Sequence, residues 1–261
     1  MVIKICLAGV TGWTGNKVVE AIIQAKDLQL VSAVSRNAAG TKIGDIKISG
    51  SVEEALQTPV DVFVDYTSAA AVRAHVDSAL AHKTSVIVGS SGLSAKDYEE
   101  IEKEALRQDV GVISCGNFAI TAALAKHFAL IAAKYLPHRE IIDYAYEGKM
   151  DAPSGSAREL AEALAKVKAN ELGLPLEKTV GEINARGAQI AGTPVHSIRL
   201  PSYTLGFETI FGLTNERISI RHDAGQGAEP YVAGTLLAIR KVQQFKGLIR
   251  GMDTLLFAES A

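Results

Sequence analysis

The stretch Val2-Ile3-Lys4-Ile5-Cys6-Leu7-Ala8-Gly9-Val10-Thr11-Gly12-Trp13-Thr14-Gly15 decides the fold. Its apolar first half predicts a buried strand, and the apolar pairs after the last glycine predict a helix. The glycines between them form G-x-x-G-x-x-G, a variant of the dinucleotide fingerprint. In such a turn the glycines permit the bend, the approach of a pyrophosphate to the helix and close helix packing. We therefore predict a nucleotide cofactor here, bound by Gly9, Thr11, Gly12, Trp13, Thr14 and Gly15. The indole of Trp13 either covers the cofactor or packs on the domain surface.

A second predicted strand, residues 28–34, ends at Ser35-Arg36, about twenty residues after the last glycine. An NAD-selective fold carries Asp or Glu here to bind the ribose hydroxyls. A serine hydroxyl beside a guanidinium instead suits a 2′-phosphate, which offers charge and several acceptors. Ser35 and Arg36 therefore favour NADPH as the cofactor, with NADH as an alternative. The competing interpretation is that Arg36 is a solvated loop residue.

Strand and helix alternate through the first half of the chain. Strands are predicted at residues 60–64, 85–88 and 111–114, and helices at residues 69–82 and 94–108, the latter opened by a capping box of Ser94 and Asp97. This alternation predicts an α/β fold with a Rossmann-like, doubly wound parallel sheet, whose ligand loops lie at the carboxyl ends of the strands. The turns at that edge add further cofactor-binding candidates, namely Tyr66, Thr67, Gly89, Ser90 and Ser91.

The pattern changes after Asn117-Phe118. A helix at residues 120–135, a strand at 140–146 and a helix ending near 169 are followed by predicted strands at residues 183–186, 195–200, 209–213 and 216–222. These elements predict a second, α+β domain with a mostly antiparallel or mixed sheet. The glycines of Gly225-Gln226-Gly227 and a helix at residues 231–244 then return the chain to the first domain. The predicted domains are residues 1–118 with 225–261, and residues 119–224.

Residues 149–157, Lys149-Met150-Asp151-Ala152-Pro153-Ser154-Gly155-Ser156-Ala157, form a candidate anion cradle between a strand and a helix. Pro153 restricts the turn, and Ser156 with Glu159 predicts a capping box. The helix would point its unpaired backbone N–H groups and its positive dipole end back at the loop. A carboxylate or phosphate fits such a site, with the Lys149 ammonium beside it. The plainer interpretation is a capped helix after a proline turn.

Composition narrows the class of protein. Lys and Arg number 27 and Asp and Glu 29, so the net charge is −2, and the chain has no basic run that suits nucleic acid. No apolar run reaches the roughly 18 residues of a membrane span, and the chain begins directly with a strand. We expect a cytoplasmic protein with neither a nucleic-acid nor a membrane partner. Cys6 and Cys115 are expected to be reduced core thiols, and no metal site is predicted.

The chain as a whole resembles the dihydrodipicolinate reductase family of the lysine and diaminopimelate pathway. The resemblance is carried by the glycine turn, Asp65-Tyr66-Thr67, Gly89-Ser90-Ser91-Gly92, Asn117-Phe118 and, most specifically, the run from Lys149 to Ser156. It implies a cofactor domain and a central domain that binds substrate and assembles a homo-oligomer, a tetramer or a dimer. It also implies hydride transfer from NAD(P)H to a small unsaturated cyclic dicarboxylate. Site roles are then expected for Lys149 and Tyr146 (catalytic) and for Ser154, Gly155, Ser156 and Asn117 (substrate-binding).

The sequence departs from the family where its proton donor is expected. The family has two adjacent histidines, the first proposed as the catalytic acid, and this chain has Ala145-Tyr146. A family histidine is replaced by Glu208, and a family serine-arginine pair by the residues of Gly225-Gln226-Gly227. Alanine has no proton to give, and a phenol with a pKa of about 10 is a poor donor at neutral pH.

Three interpretations stay open at this point. In the first, Tyr146, Lys149 or an ordered water supplies the proton and the family reaction persists. In the second, the substrate is another cyclic imine carboxylate, already protonated on nitrogen, whose ring charge Glu147 or Glu208 offsets. In the third, the chain is a non-catalytic NADPH-binding sensor, although a sensor has no use for an intact cradle.

Overall fold

The computed structural model describes residues 2–257. Its strands are, in chain order, β1 Ile3–Ala8, β2 Leu28–Val34, β3 Lys42–Ile43, β4 Ile46–Ser49, β5 Val62–Asp65, β6 Ser85–Val88, β7 Gly111–Ser114, β8 His138–Ala145, β9 Ala188–Ile190, β10 Thr193–Arg199, β11 Leu205–Leu213, β12 Glu216–Ala224 and β13 Gly247–Arg250. Its α-helices are α1 Trp13–Gln24, α2 Val52–Ala55, α3 Val72–Ala81, α4 Ala95–Gln108, α5 Ile120–Tyr135, α6 Gly155–Val167, α7 Glu229–Lys241 and α8 Met252–Phe257. None of the helices between residues 2 and 257 is long and apolar enough to cross a bilayer.

The strand β1 lies inside the first sheet, whose order is β13-β7-β6-β5-β1-β2-β4-β3. All neighbours pair in parallel except the short β3–β4 hairpin at one edge. Parallel strands covered on both faces must be apolar throughout, and the residues of β1 from Ile5 to Ala8 are accordingly buried. The chain order reverses between β5, β1 and β2, and doubly wound sheets bind their ligands at such a switch point. The predicted Rossmann-like α/β sheet is confirmed.

The second sheet has the order β12-β11-β8-β10-β9. β8 and β10 pair in parallel, and the other neighbours pair antiparallel, so the sheet is mixed. The chain divides into two compact units: one consists of the residues up to Ile120 together with those from Gly227 onward, and the other is Thr121–Gln226. Each sheet therefore belongs to one unit, and the first unit is built from two separate segments of the chain.

Several sequence predictions match element bounds to the residue. The strands β2, β6 and β7, the helix α5 and the capping box that opens α4 lie where they were predicted. The expectation of core thiols also holds, because Cys6 and Cys115 are buried and burial raises the pKa of Cys6 to about 12. The β3–β4 hairpin, β9 and the four-residue β13 were not predicted.

The predicted strand at residues 183–186 is wrong, because Ile183–Arg186 forms a 3₁₀ helix. Gly181 and Gly187 flank this turn with φ angles of 95° and 77°, a left-handed conformation that bends the chain too sharply for an extended strand. Ile183 is half exposed, so the segment does not bury the apolar face that a strand needs. The flanking glycines, Gly181 and Gly187, therefore decide the conformation of residues 183–186 against the strand that their composition predicted.

The helix α7 packs so closely that one position excludes any side chain. A Cβ added to Gly234 would lie 1.9 Å from the carbonyl oxygen of Phe118. On the same helix, Thr235 shares a 2.5 Å hydrogen bond with the hydroxyl of Tyr66, just beyond β5. The returning segment of the chain is thus held against the first sheet by backbone contact and by a buried hydroxyl pair.

We expect Gly234→Ala to destabilise the protein by up to about 2 kcal/mol, the cost of overpacking less the gain in helix propensity. Alanine gains about 1 kcal/mol of helix propensity, but the backbone of Phe118 must move to admit the methyl group, and overpacking costs typically 1–3 kcal/mol or more. Gly212→Ala is the control, because a Cβ there meets nothing within 4 Å. Urea unfolding measures both free energies. Equal stability of the two variants would contradict the close packing of α7.

Candidate active site

The glycine turn is closed against the neighbouring strand end. Gly9 has a φ of 88°, and a Cβ at this position would lie 2.1 Å from the carbonyl oxygen of Tyr66. A Cβ on Gly15 would lie 2.1 Å from the carbonyl oxygen of Gly9. Any side chain at either position would therefore push the turn away from α1 or from β5. Both glycines perform the roles that the sequence predicted for them.

The start of α1 is left open toward this edge of the sheet. Its N-cap is Gly12, which has no side chain to bond the free N–H groups of the first turn, and that turn contains no acidic residue. Backbone N–H groups and the positive end of the helix dipole therefore face outward, as a pyrophosphate requires. Trp13 is exposed at 59% and packs edge-on against Tyr231, with ring centroids 5.8 Å apart. Its indole thus packs on the surface and still presents an open side.

The end of β2 is joined to the glycine turn by two hydroxyl groups. The hydroxyls of Thr11 and the buried Ser35 share a hydrogen bond of 2.8 Å. Arg36 opens a short 3₁₀ turn and is exposed, and no ion pair holds its guanidinium within residues 2–257. A polar corner with an available positive charge results.

The turns after β5 and β6 complete the edge. Tyr66 is directed inward: its hydroxyl reaches Thr235, its ring fills the space beside Gly89, and burial raises its pKa. Only the backbone of Tyr66 is thus available to a ligand. The Thr67 backbone N–H donates to the Ser90 hydroxyl over 2.7 Å, while Ser91 is exposed. Hydrogen bonds thus join the four turns in pairs, Thr11 with Ser35 and Thr67 with Ser90, and the close approach of Gly9 to Tyr66 connects the two pairs.

In the second unit, the predicted capping box of Ser156 and Glu159 is wrong. The helix α6 begins at Gly155, with Ser154 as its N-cap, and Glu159 pairs with Lys126 instead. The side chain of Ser154 does not cap the helix, because its hydroxyl donates to the carboxylate of Asp143. The Ser154 backbone N–H donates to the same carboxylate over 2.9 Å. The helix therefore starts before the predicted cap, Ser156, and its actual N-cap residue, Ser154, binds a buried acid that the sequence analysis had not singled out.

Asp143 and Arg199 hold the loop in place. Asp143 is fully buried, and its Oδ2 accepts from the Arg199 guanidinium at 2.8 Å and from the Ser197 hydroxyl at 3.1 Å. The same guanidinium nitrogen of Arg199 donates to the carbonyl oxygen of Asp151 over 2.7 Å. Part of the signal was present in the sequence: Asp143 stands at an inward position of an alternating strand, where only a paired charge is tolerated.

The outer part of the loop offers an anion site of limited strength. Gly155 is exposed, and a Cβ there would meet nothing within 4 Å, so the first N–H groups of α6 are open to a ligand. The Lys149 ammonium lies 2.5 Å from Asp151 Oδ1, and this hydrogen bond lowers the pKa of Asp151. Lys149 is thus partly neutralised by its own loop, as a structural role for it would require.

The two positions that replace the family histidines differ in exposure. Ala145 is completely buried, whereas Tyr146 is exposed at 49%. Of the two acids named above as partners for a ring charge, Glu208 accepts a 2.9 Å hydrogen bond from the Tyr144 hydroxyl, and Glu147 is exposed. Asn117 lies in the first unit, where its side chain accepts from the Ala119 N–H over 2.8 Å just before α5.

Comparison with known proteins identifies the family. The model for dihydrodipicolinate reductase, N-terminus, matches residues 3–118, and the model for its C-terminus matches residues 118–256. A 4-hydroxy-tetrahydrodipicolinate reductase of Dehalococcoides mccartyi is 35% identical and one of Desulfitobacterium hafniense 36% identical, each over 97% of this chain and 98% of the relative. The solved dipicolinate-bound dihydrodipicolinate reductase of Paenisporosarcina sp. TG-14 superposes with a TM-score of 0.86 at 29% identity, covering 98% of this chain and all of that one.

A more distant structure, an amine dehydrogenase of Mycobacterium smegmatis, shares the fold alone, with a TM-score of 0.65 at 13% identity over 96% of this chain and 95% of its own. The two family models together account for nearly every residue that the structure describes. The glycine turn, the strand ends beside it and the loop before α6 are thus those of a chain that belongs to the dihydrodipicolinate reductase family of oxidoreductases.

Proposed function

We propose that this protein is an NADPH-dependent reductase that transfers a hydride to a C=N or conjugated C=C–C=N bond of a small cyclic imine carboxylate. The observation that carries the proposal is the glycine turn, which is closed against Tyr66 and leaves the N-terminus of α1 open. The first substrate to test is 4-hydroxy-tetrahydrodipicolinate, because relatives covering the whole chain are named for its reduction.

The two predicted domains divide the work. Residues 1–118 with 225–261 are the dinucleotide-binding domain, and residues 119–224 bind substrate and make the subunit contacts of a homotetramer or homodimer. The cofactor supplies the hydride. The open first turn of α1 binds its pyrophosphate, and Ser35 with Arg36 binds a 2′-phosphate. We further propose that the enzyme works in the cytoplasm, without a membrane or nucleic-acid partner.

The substrate carboxylate is held by the start of α6. The N–H groups after Ser154 and the helix dipole attract the anion, and Lys149 adds its ammonium when the substrate competes with Asp151. The Ser154 hydroxyl is bonded to Asp143, so its contribution is to fix the shape of the loop, while Gly155 and Ser156 face the ligand. Asn117 is the substrate contact from the first unit.

Proton delivery separates the two candidate substrates. The family reaction adds a hydride to one carbon and a proton to its neighbour, so it requires an acid. Tyr146 is exposed enough to serve, whereas Ala145 has no proton to donate. A substrate that already carries a proton on its ring nitrogen needs only the hydride, so an enzyme that lacks the histidine pair could still reduce this second candidate. A sensor without catalysis is the least favoured function, because it would not use the loop before α6.

Cofactor choice gives the first prediction of this proposal. Arg36→Ala should raise the NADPH Michaelis constant tenfold or more, since a lost charge-assisted hydrogen bond is worth about 1.5–3 kcal/mol, and it should change the NADH constant little. Lys26→Ala is the control: it removes one exposed positive charge before β2, at the end of that strand opposite to Arg36. Steady-state oxidation of both cofactors provides the measurement. Equal losses with NADPH and NADH would show that Arg36 does not bind the 2′-phosphate.

The identity of the substrate gives the second prediction of this proposal. The purified protein should oxidise NADPH with 4-hydroxy-tetrahydrodipicolinate or with a member of a panel of cyclic imine carboxylates, and Tyr146→Phe tells the mechanisms apart. If the phenol donates the proton, turnover falls by roughly 10²–10⁴-fold, the usual contribution of a general acid. If the substrate is a protonated imine, the variant is nearly silent. An absence of turnover with every substrate would refute the reductase.

The role of Lys149 gives the third prediction of this proposal. Lys149→Met keeps most of the stem and removes the ammonium, so substrate binding should weaken by roughly 2–4 kcal/mol while NADPH affinity and the melting temperature stay near wild type. Asp151→Asn is the matched variant, because it releases the ammonium from its partner and should leave substrate affinity equal or higher. A pair of variants that both lower the melting temperature, and that both bind substrate normally, would assign Lys149 to loop structure alone.

A further inference from the structure

Asp65 ends β5 and is fully buried, directly beneath two of the cofactor turns. Its Oδ1 accepts three hydrogen bonds: from the Thr67 N–H at 3.0 Å, the Thr67 hydroxyl at 2.8 Å and the Ser90 hydroxyl at 2.5 Å. Burial raises the pKa of the carboxyl group, but the hydrogen bonds from His75, Ser90 and Thr67 outweigh it, and the net pKa is lowered. The group is therefore held as a carboxylate.

These donors come from two different turns. Thr67 follows β5 and Ser90 follows β6, and the Thr67 N–H is shared between the carboxylate and the Ser90 hydroxyl. Besides this cluster, the Gly89 N–H donates to the Asp65 carbonyl oxygen at 2.9 Å, and Gly89 lies against the Tyr66 ring. One carboxylate oxygen thus fixes the spacing of the two turns.

His75 occupies the other oxygen. It lies on α3, its Nδ1 is 2.7 Å from Asp65 Oδ2, and its ring packs edge-on against Phe63. A carboxylate only accepts, so Nδ1 must carry the proton. The imidazole therefore sets the rotation of the carboxyl group about its own axis, and this rotation aims Oδ1 at Thr67 and Ser90.

We propose that Asp65 and His75 are positioning residues of the cofactor site: the imidazole orients the carboxylate, and the carboxylate holds the turns after β5 and β6 at the spacing that a nicotinamide cofactor needs. Neither side chain has to touch the cofactor. The inference rests on the proposed function for its ligand, and it adds a pair of residues that orders the ligand loops before binding, which reduces the ordering cost of association.

A matched pair of substitutions isolates the hydrogen bond. Asn places a donor the same number of bonds from Cα as His Nδ1 does, so His75→Asn should bind NADPH nearly as well as wild type. His75→Leu keeps the bulk and loses the donor, and it should raise the NADPH dissociation constant about tenfold, the effect of one hydrogen bond to a charged group. His82→Gln is the control, because His82 is exposed near the end of the same helix and bonds only the Ser78 carbonyl oxygen.

Two readouts separate positioning from general stability. Calorimetry gives NADPH affinity well below the melting temperature, and hydrogen–deuterium exchange follows residues 66–68 and 89–92 in the unliganded protein. His75→Leu should speed exchange in these two turns and leave α3 and the second unit unchanged. Wild-type affinity in His75→Leu, or equal losses in His75→Leu and His75→Asn, would overturn the proposal.

The exchange experiment also keeps this inference apart from the proposed function. If the wild-type protein binds neither NADPH nor NADH, the proposed reductase function is refuted. Faster exchange in both turns of His75→Leu would still establish that the imidazole orders them. Asp65→Asn is the second variant: it removes a charged acceptor and should speed exchange in the same turns more strongly. Unchanged exchange in both variants would overturn the positioning role of Asp65 and His75, even in an active enzyme.

Discussion

A carboxylate removed from water must have a donor for each of its oxygens, and this constraint shapes both units. Asp65 and Asp143 have no exposed surface, and an unpaired charge in either place would cost several kcal/mol. Each accepts hydrogen bonds from the backbone N–H of a following loop, from a serine hydroxyl and from a side-chain N–H group. The N–H group belongs to His75 for Asp65 and to Arg199 for Asp143. The loops that carry the proposed sites take their shape from these requirements.

The consequence for binding is that neither loop needs regular secondary structure to be ordered. In each case a side-chain hydroxyl and a backbone N–H of the loop both turn toward the buried acid. Helix α4 shows the opposite arrangement: Ser94 and Asp97 satisfy its first turn reciprocally, and little remains for an anion. The starts of α1 at Gly12 and of α6 after Ser154 have no side-chain cap and so keep free N–H groups that the start of α4 does not have.

Local rules could predict those parts of this molecule that local forces decide. The continuous apolar runs of β2 and β6, and the Ser94 box, are complete signals within a few residues, and each lies where it was predicted. The predicted N-cap of α6, Ser156, was two residues too late, because the contact that orders the loop joins Ser154 to an acid eleven residues earlier in the chain. The strand β13 has only four residues and owes its existence to pairing with β7, which no local pattern contains.

That pairing has a consequence for synthesis. Because Gly247 of β13 lies beside Gly111 of β7, the edge of the first sheet cannot be completed until the whole of the second unit has left the ribosome. The second unit is one continuous segment and can finish its own sheet first. During that interval β7 presents an apolar, unpaired edge, the kind of surface that nascent chains use for wrong pairings. Because of the order in which the segments emerge, β13 is the strand that completes the first sheet.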